Sequence, residues 1–242
     1  MRYVGSKNRI SKELAPIIQG YINDETVGYL EPFVGGANMI DKIVCEKRIG
    51  CDIHKELIAL LNYAKDNELP ESISEEEYNK VKDNKDKYES WYVGLVGFCA
   101  SFGAKYFGGY GRACVRDGKQ RNVSKEAIDN LRKQSANLKD IIFTNKNFLD
   151  LPKDEIKGYV IYCDIPYKGT VRYKSGEFPY EKFYTWAKEM SENNVVLISE
   201  YDMPEEFECI WSRDLRSSLG RGVNKEKDNA KIEKLFIVKK GE

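Results

Sequence analysis

GYLEPFVGGANM, residues 28 to 39, runs a short apolar segment straight into two adjacent glycines. It reads as a strand that ends in a tight turn, because Gly35 and Gly36 permit positive φ and close backbone approach. The flanking sequence has the same character. SKNRISKELAPIIQGYI carries Ile10, Leu14, Ile17, Ile18 and Ile22 at helical spacing. IDKIVCEK reads as the helix after the turn, RIGCDI as a second short strand, and HKELIALLNYAKD as a second helix. Later in the chain DIIFTN, GYVIYCD, NVVLIS and EKLFIVK are apolar runs of strand length, with FYTWAKEMSEN a helix between the second and third. Alternating strands and helices predict an α/β fold, with a parallel or mixed sheet covered by helices on both faces.

The middle of the chain differs. From Asp66 to Glu89 there are nine acids and four lysines, which predicts a solvated helical segment. WYVGLVGFCASFGAKYFGGYGRACVRDGKQRN follows, rich in aromatics and glycines, and KEAIDNLRKQSANL reads as a helix leading back out. The layout expected is therefore a core formed by 1–65 and 139–242, with 66–138 inserted as a smaller domain.

Bulk composition narrows the class. The 242 residues are 41% hydrophobic and 32% charged, as in a soluble globular protein. Lys plus Arg equals Asp plus Glu at 39 each, so any nucleic-acid affinity must come from uneven placement of charge. Six cysteines without a CxxC pair, and a single histidine (His54), leave no zinc site of the usual type, and no metal is expected. His54 reads as a helix-start residue. The opening MRYVGSKNRI has no apolar signal core, and no apolar run approaches the roughly 20 residues of a membrane span. Unpaired thiols fit a reducing cytoplasm.

At the carboxyl end of a first strand, a glycine turn is where α/β folds bind nucleotide-like ligands. The second strand ends at Asp52, an acid able to accept from a ribose diol. No GxGxxG and no phosphate-loop GK[ST] occurs, so an adenosine-type ribose without pyrophosphate is the better match. S-adenosylmethionine (SAM) has that chemistry. A plain tight turn with a capping aspartate explains the same residues.

YCDIPY, residues 162 to 167, adds the discriminating signal. It resembles the (Asp/Asn/Ser)-Pro-Pro-(Tyr/Phe/Trp) signature of methyltransferases that act on exocyclic amino groups. With RYVGSK, LEPFVGG and CDI in order before it, the whole chain resembles the Dam-like DNA adenine methyltransferases, the restriction-modification class included. The resemblance implies a Rossmann-like SAM-dependent methyltransferase sheet with an inserted target-recognition domain. It also implies site-specific methyl transfer to the 6-amino group of an adenine flipped out of double-stranded DNA, a task a monomer can perform.

Carried over by position, Tyr3 and Lys7 match the family's opening SAM contacts. Glu31, Pro32, Phe33, Gly35 and Gly36 match the SAM turn, Asp52 the ribose-binding acid, and Asn147 with Phe148 an Asp-Phe pair that meets the SAM adenine. Asp164 also faces the cofactor. In the catalytic segment Asp164 offers one acceptor to the amino group and the carbonyl of Ile165 a second. Pro166 restricts Ile165 to extended conformations, and Tyr167 offers a stacking face. The family has proline at Ile165, often glycine at Ala37, and an acid at Asn147.

From Lys105 to Lys125 six basic residues face one acid, among aromatics and glycines. That pattern suits a surface that tracks phosphates and approaches bases. Lys105, Tyr110, Arg112 and Arg116 are the expected DNA contacts, with Arg216 and Arg221 from a second basic stretch. A solvated basic hairpin has the same composition. Two further readings stay open on sequence: a cytosine, RNA or protein-amide target for the same tetrapeptide, and a non-catalytic DNA-binding module on a degenerate scaffold.

Overall fold

The computed structural model describes residues 1, 3–112, 114–116, 119–168, 178–215 and 231–239. The strands are β1 (Gly28–Glu31), β2 (Arg48–Asp52), β3 (Cys114–Arg116), β4 (Lys119–Arg121), β5 (Ile141–Asn145), β6 (Tyr159–Asp164), β7 (Val195–Glu200), β8 (Phe207–Leu215) and β9 (Lys231–Val238). The α-helices are α1 (Ser11–Gln19), α2 (Lys55–Asp66), α3 (Glu75–Asp83), α4 (Ser90–Cys99), α5 (Val123–Ser135) and α6 (Tyr180–Ser191). Among the described residues, none of these helices is long and apolar enough to cross a membrane.

Seven strands form one sheet in the order β5-β2-β1-β6-β7-β9-β8. The first five run parallel, and β9 lies antiparallel to both β7 and β8. The chain winds outward from β1 through β2 to β5, then returns to place β6 on the other side of β1. That reversal makes the crevice beyond the ends of β1 and β6 the switch point of a Rossmann-like sheet.

Strand period 2 sorts the core into two layers. Tyr29, Val160, Tyr162, Leu197 and Leu235 face one cluster, which also buries apolar side chains of α1, α2, α4 and α5. Leu30, Ile161, Cys163, Val196, Ile198 and Phe236 face the other, closed by Phe183, Trp186 and Met190 of α6. Helices α4 and α5, from the 66–138 segment, therefore pack into the same cluster as α2.

Two expectations change. IDKIVCEK is not an α-helix: only Ile40–Lys42 forms a 3₁₀ turn, and Ile43 is already extended at φ −91, ψ 134. The Gln19 side chain bonds both the carbonyl and the N–H of Val44, at 2.9 and 2.8 Å, and takes the backbone groups a helix would use. Strand β8, with Glu208, Ser212, Arg213 and Asp214 in its run, was not expected. It is an edge strand, so one side of its ladder and much of its surface meet water.

Candidate active site

The parallel strands end together, and four of the five deliver an acid to the same edge, β5 ending instead at Asn145. β1 ends at Glu31, β2 at Asp52, β6 at Asp164 and β7 at Glu200. Because β9 runs the other way, its beginning lies at this edge too, with Lys234 opposite Glu200. Asp164 lies opposite Ser199 and shares a face with Tyr162; Glu233 shares a face with Leu235, itself opposite Ser199. Asp164 and Glu233 thus converge from strands on either side of β7.

Lys7 joins them from the other end of the chain. It sits in a 3₁₀ turn, Lys7–Arg9, that Ser6 caps by accepting from the N–H of Asn8. Its ammonium is 2.6 Å from Asp164 Oδ1 and 3.5 Å from Glu233 Oε1, with the Lys7 side chain 7% exposed. The Tyr167 hydroxyl donates to Glu233 Oε1, and the Lys7 ammonium stands 4.3 Å over the Tyr167 ring. Tyr201 meets that ring edge-to-face at 4.4 Å. Burial lowers the affinity of Lys7 for its proton, but the Asp164 and Glu233 carboxylates outweigh this and raise it overall. Burial pushes the Asp164 carboxyl up against the opposing pull of Lys7. Glu233 is likewise raised by burial, against Lys7 and the Tyr167 hydrogen bond. Two carboxylates here share one cation in a low-dielectric site.

The rest of the tetrapeptide is anchored. The Ile165 side chain is buried in the α6-side cluster. The Pro166 carbonyl accepts from the Tyr180 hydroxyl at 2.8 Å. Glu200 accepts from the backbone N–H of Lys168 at 3.1 Å and of Tyr201 at 2.7 Å, which fixes the chain on both sides.

In the glycine turn, Gly35 has φ +48, and a Cβ there would lie 3.0 Å from Tyr3 Cε1. A Cβ on Gly36 would lie 2.7 Å from Asn38 Nδ2 and 2.8 Å from Tyr3 Cβ. Tyr3 therefore lies against the turn, and the glycines make room for it. Ala37 also takes positive φ, 55, where the resembled family often has glycine, so the turn keeps a left-handed residue despite the methyl. Pro32 and Phe33 lead into the turn, and Phe33 packs on Phe148 at 5.3 Å between ring centres.

Asp52 Oδ2 accepts from the N–H of Gly35 at 3.1 Å and Oδ1 from that of His54 at 2.9 Å. Burial raises its carboxyl, with these bonds opposing. A carboxylate has about four acceptor sites, so capacity for further donors remains. Next door, Asn145 is opposite Asp52 across β2 and β5. Asn147 caps the following 3₁₀ turn, its Oδ1 accepting from the N–H of Leu149 at 3.0 Å, which leaves its Nδ2 for donation. The Phe148 ring is only 3% exposed, among Phe33, Phe178, Phe183 and Trp186.

Four residues at this edge went unnoticed in the sequence. Ile53 and Leu149, 60% and 43% exposed, are large apolar side chains immediately after Asp52 and Phe148. Glu200 and Glu233, 1% and 2% exposed, are acids at the ends of apolar strand runs. An acid inside such a run is the signal that marks the second pair.

The basic residues are dispersed. Lys105 is exposed on the 101–110 loop. The Tyr110 hydroxyl donates to the carbonyl of Ile73 at 2.9 Å. Arg112 is exposed and pairs with Glu75 at 2.7 Å. Arg116 lies in β3. Arg216 and Arg221 lie outside the described residues.

The sheet order, with the glycine turn at its switch point, is that of a Rossmann-like α/β fold. The family model for D12 class N6 adenine-specific DNA methyltransferase matches residues 3–93, and this match supports N6 methylation of adenine in DNA as the activity of the chain. The matched stretch carries Lys7, the glycine turn and Asp52; the Lys7–Asp164 pair ties Asp164 to it. No curated protein matches the chain.

Proposed function

We propose that the enzyme transfers a methyl group from SAM to the 6-amino group of an adenine swung out of double-stranded DNA, at a specific sequence, in the cytoplasm. The observation that carries this reading is the Lys7–Asp164 pair, 2.6 Å long between residues 157 apart, at the switch point beside the glycine turn.

The residues present fit the cofactor. Asp52 has acceptor capacity for a ribose diol, and Asn147 Nδ2 is a donor suited to a base. Ile53 and Leu149 follow neighbouring strands and expose apolar side chains at one edge, as walls for a flat ring would. Tyr3, Glu31, Pro32, Phe33, Gly35, Gly36 and Phe148 shape the turn and its floor. When bound, SAM supplies an electrophilic methyl group on a sulfonium.

The chain's own groups then hold the acceptor nitrogen. Adenine's amino lone pair is delocalised into its ring, and holding both hydrogens by acceptors frees it for attack. Lys7 engages Asp164 Oδ1, so Oδ2 is the oxygen that accepts one of them. The Ile165 carbonyl accepts the other, and Pro166, tied by Tyr180, keeps it in place. Tyr167 offers an aromatic contact of roughly 1–3 kcal/mol to the base. Positioning and charge stabilisation dominate, since a sulfonium is already a good methyl donor.

The insert 66–138 serves as the target-recognition unit, with Lys105, Tyr110, Arg112, Arg116, Arg216 and Arg221 as DNA contacts. Asp164→Ala is expected to lower methyl transfer to duplex DNA by at least about 10²-fold. SAM binding by calorimetry should stay within severalfold of wild type. Asp164→Asn, which keeps an acceptor and the volume, controls for loss of folding. Retained transfer in Asp164→Ala would refute the assigned role.

A further inference from the structure

Glu233 has no part in the scheme above, yet it touches two of its members. It is 2% exposed and lies on β9, a strand that enters the sheet from the opposite direction. Its Oε1 accepts from the Tyr167 hydroxyl and stands 3.5 Å from Lys7. Burying a carboxylate near Asp164 and Glu200 is costly, so it persists only if its partners repay it. Those partners are one residue of the catalytic tetrapeptide and the lysine that grips the other.

We propose that Glu233 is a positioning residue for methyl transfer, holding the Tyr167 hydroxyl and sharing Lys7 with Asp164 so that ring and carboxylate keep one fixed relation. The inference rests on the methyl-transfer reading. A carboxylate suits the post because it accepts from a phenol and an ammonium together. An amide in its place has one acceptor oxygen and turns two donors toward groups that already donate. Fixing a ring through its distal hydroxyl restricts rotation that packing against Tyr201 alone permits. Through Lys7, Glu233 also competes with Asp164 for one cation, which holds the lysine between them, nearer Asp164.

The test is a double-mutant cycle with Glu233→Gln, Tyr167→Phe and the pair, measured as kcat, KM for SAM and KM for duplex DNA, with thermal unfolding alongside. Each single variant is expected to lose roughly 10- to 100-fold in kcat, the scale of a small misplacement, with KM for SAM within threefold. The double variant should be no slower than the slower single. Wild-type kcat in Glu233→Gln, or losses that multiply in the double, would overturn the proposal. Coupling seen in unfolding but not in kcat would overturn it too, leaving a structural contact only. A wild-type chain that methylates no adenine would sink the underlying activity instead. The unfolding cycle would then decide the Glu233–Tyr167 linkage by itself, its absence counting against the proposal.

Discussion

Glu31 ends β1 with 3% exposure, and the Tyr29 hydroxyl donates to its Oε1 at 2.7 Å. Burial holds its carboxyl well above the usual 4.5; Asp164 and Asp41 add to the rise, while Tyr29 and Lys42 oppose it. The folded chain therefore favours protonated Glu31, whereas the unfolded chain ionises it near the usual value. The resulting stability is complete below that value and is lost as pH rises through the folded-state one. Glutamine has the same shape and never ionises. Glu31→Gln is expected to unfold at the wild-type temperature near about pH 4 and at a higher temperature near about pH 8. Equal midpoints at both pH values would contradict a proton on Glu31. Sequence reading found Glu31 because it sits in LEPFVGG, but it missed Glu233. The acid in EKLFIVK marks that residue only as unusual; its meaning depends on an antiparallel strand bringing it to a tyrosine 66 residues away.

Helices α2 and α4 meet through Gly94. A Cβ there would lie 2.1 Å from the carbonyl oxygen of Glu56 and 3.2 Å from Leu60 Cβ. Alanine would gain up to about 1 kcal/mol in helix propensity, but the neighbour it meets is rigid backbone. Gly94→Ala is expected to destabilise by roughly 1–3 kcal/mol and lower Tm by several degrees, read by calorimetry; an unchanged or higher Tm would show that the helices can part freely. Since α2 begins three residues after Asp52, the same change tests how firmly the 66–138 segment is braced against the edge that carries Asp52. The elements legible in sequence were those with one strong period. β6 reads YVIYCD because both its faces are buried, and α2 shows a clean apolar stripe. β8 was illegible because an edge strand with one wet face mixes Glu, Arg and Asp into its run. The stretch at Ile43–Val44 misled because its helical spacing is local, while the Gln19 side chain that captures Val44 comes from another element.

Across the whole molecule formal charges cancel, 39 against 39, so no long-range field draws the chain to DNA. Attraction has to be regional. The 105–125 segment supplies it in sequence, but the fold engages part of that charge internally: Arg112 with Glu75, Arg121 with Glu126, Lys125 with Glu71. Lys105 remains exposed on a loop that also bears Phe102, 73% exposed. The edge that carries Lys7, Asp164 and Glu233 is chemically more definite than the basic surface, because it gathers a few buried groups in one place while the basic residues are dispersed. The central claim is therefore best tested on the product. DNA from cells that lack adenine methylation of their own, expressing either the wild-type chain or Asp164→Ala, should be sequenced for modified bases. The account expects N6-methyladenine at one recurring sequence with the wild-type chain and none with the variant. Unmodified adenine, or methyl groups on cytosine instead, would contradict it.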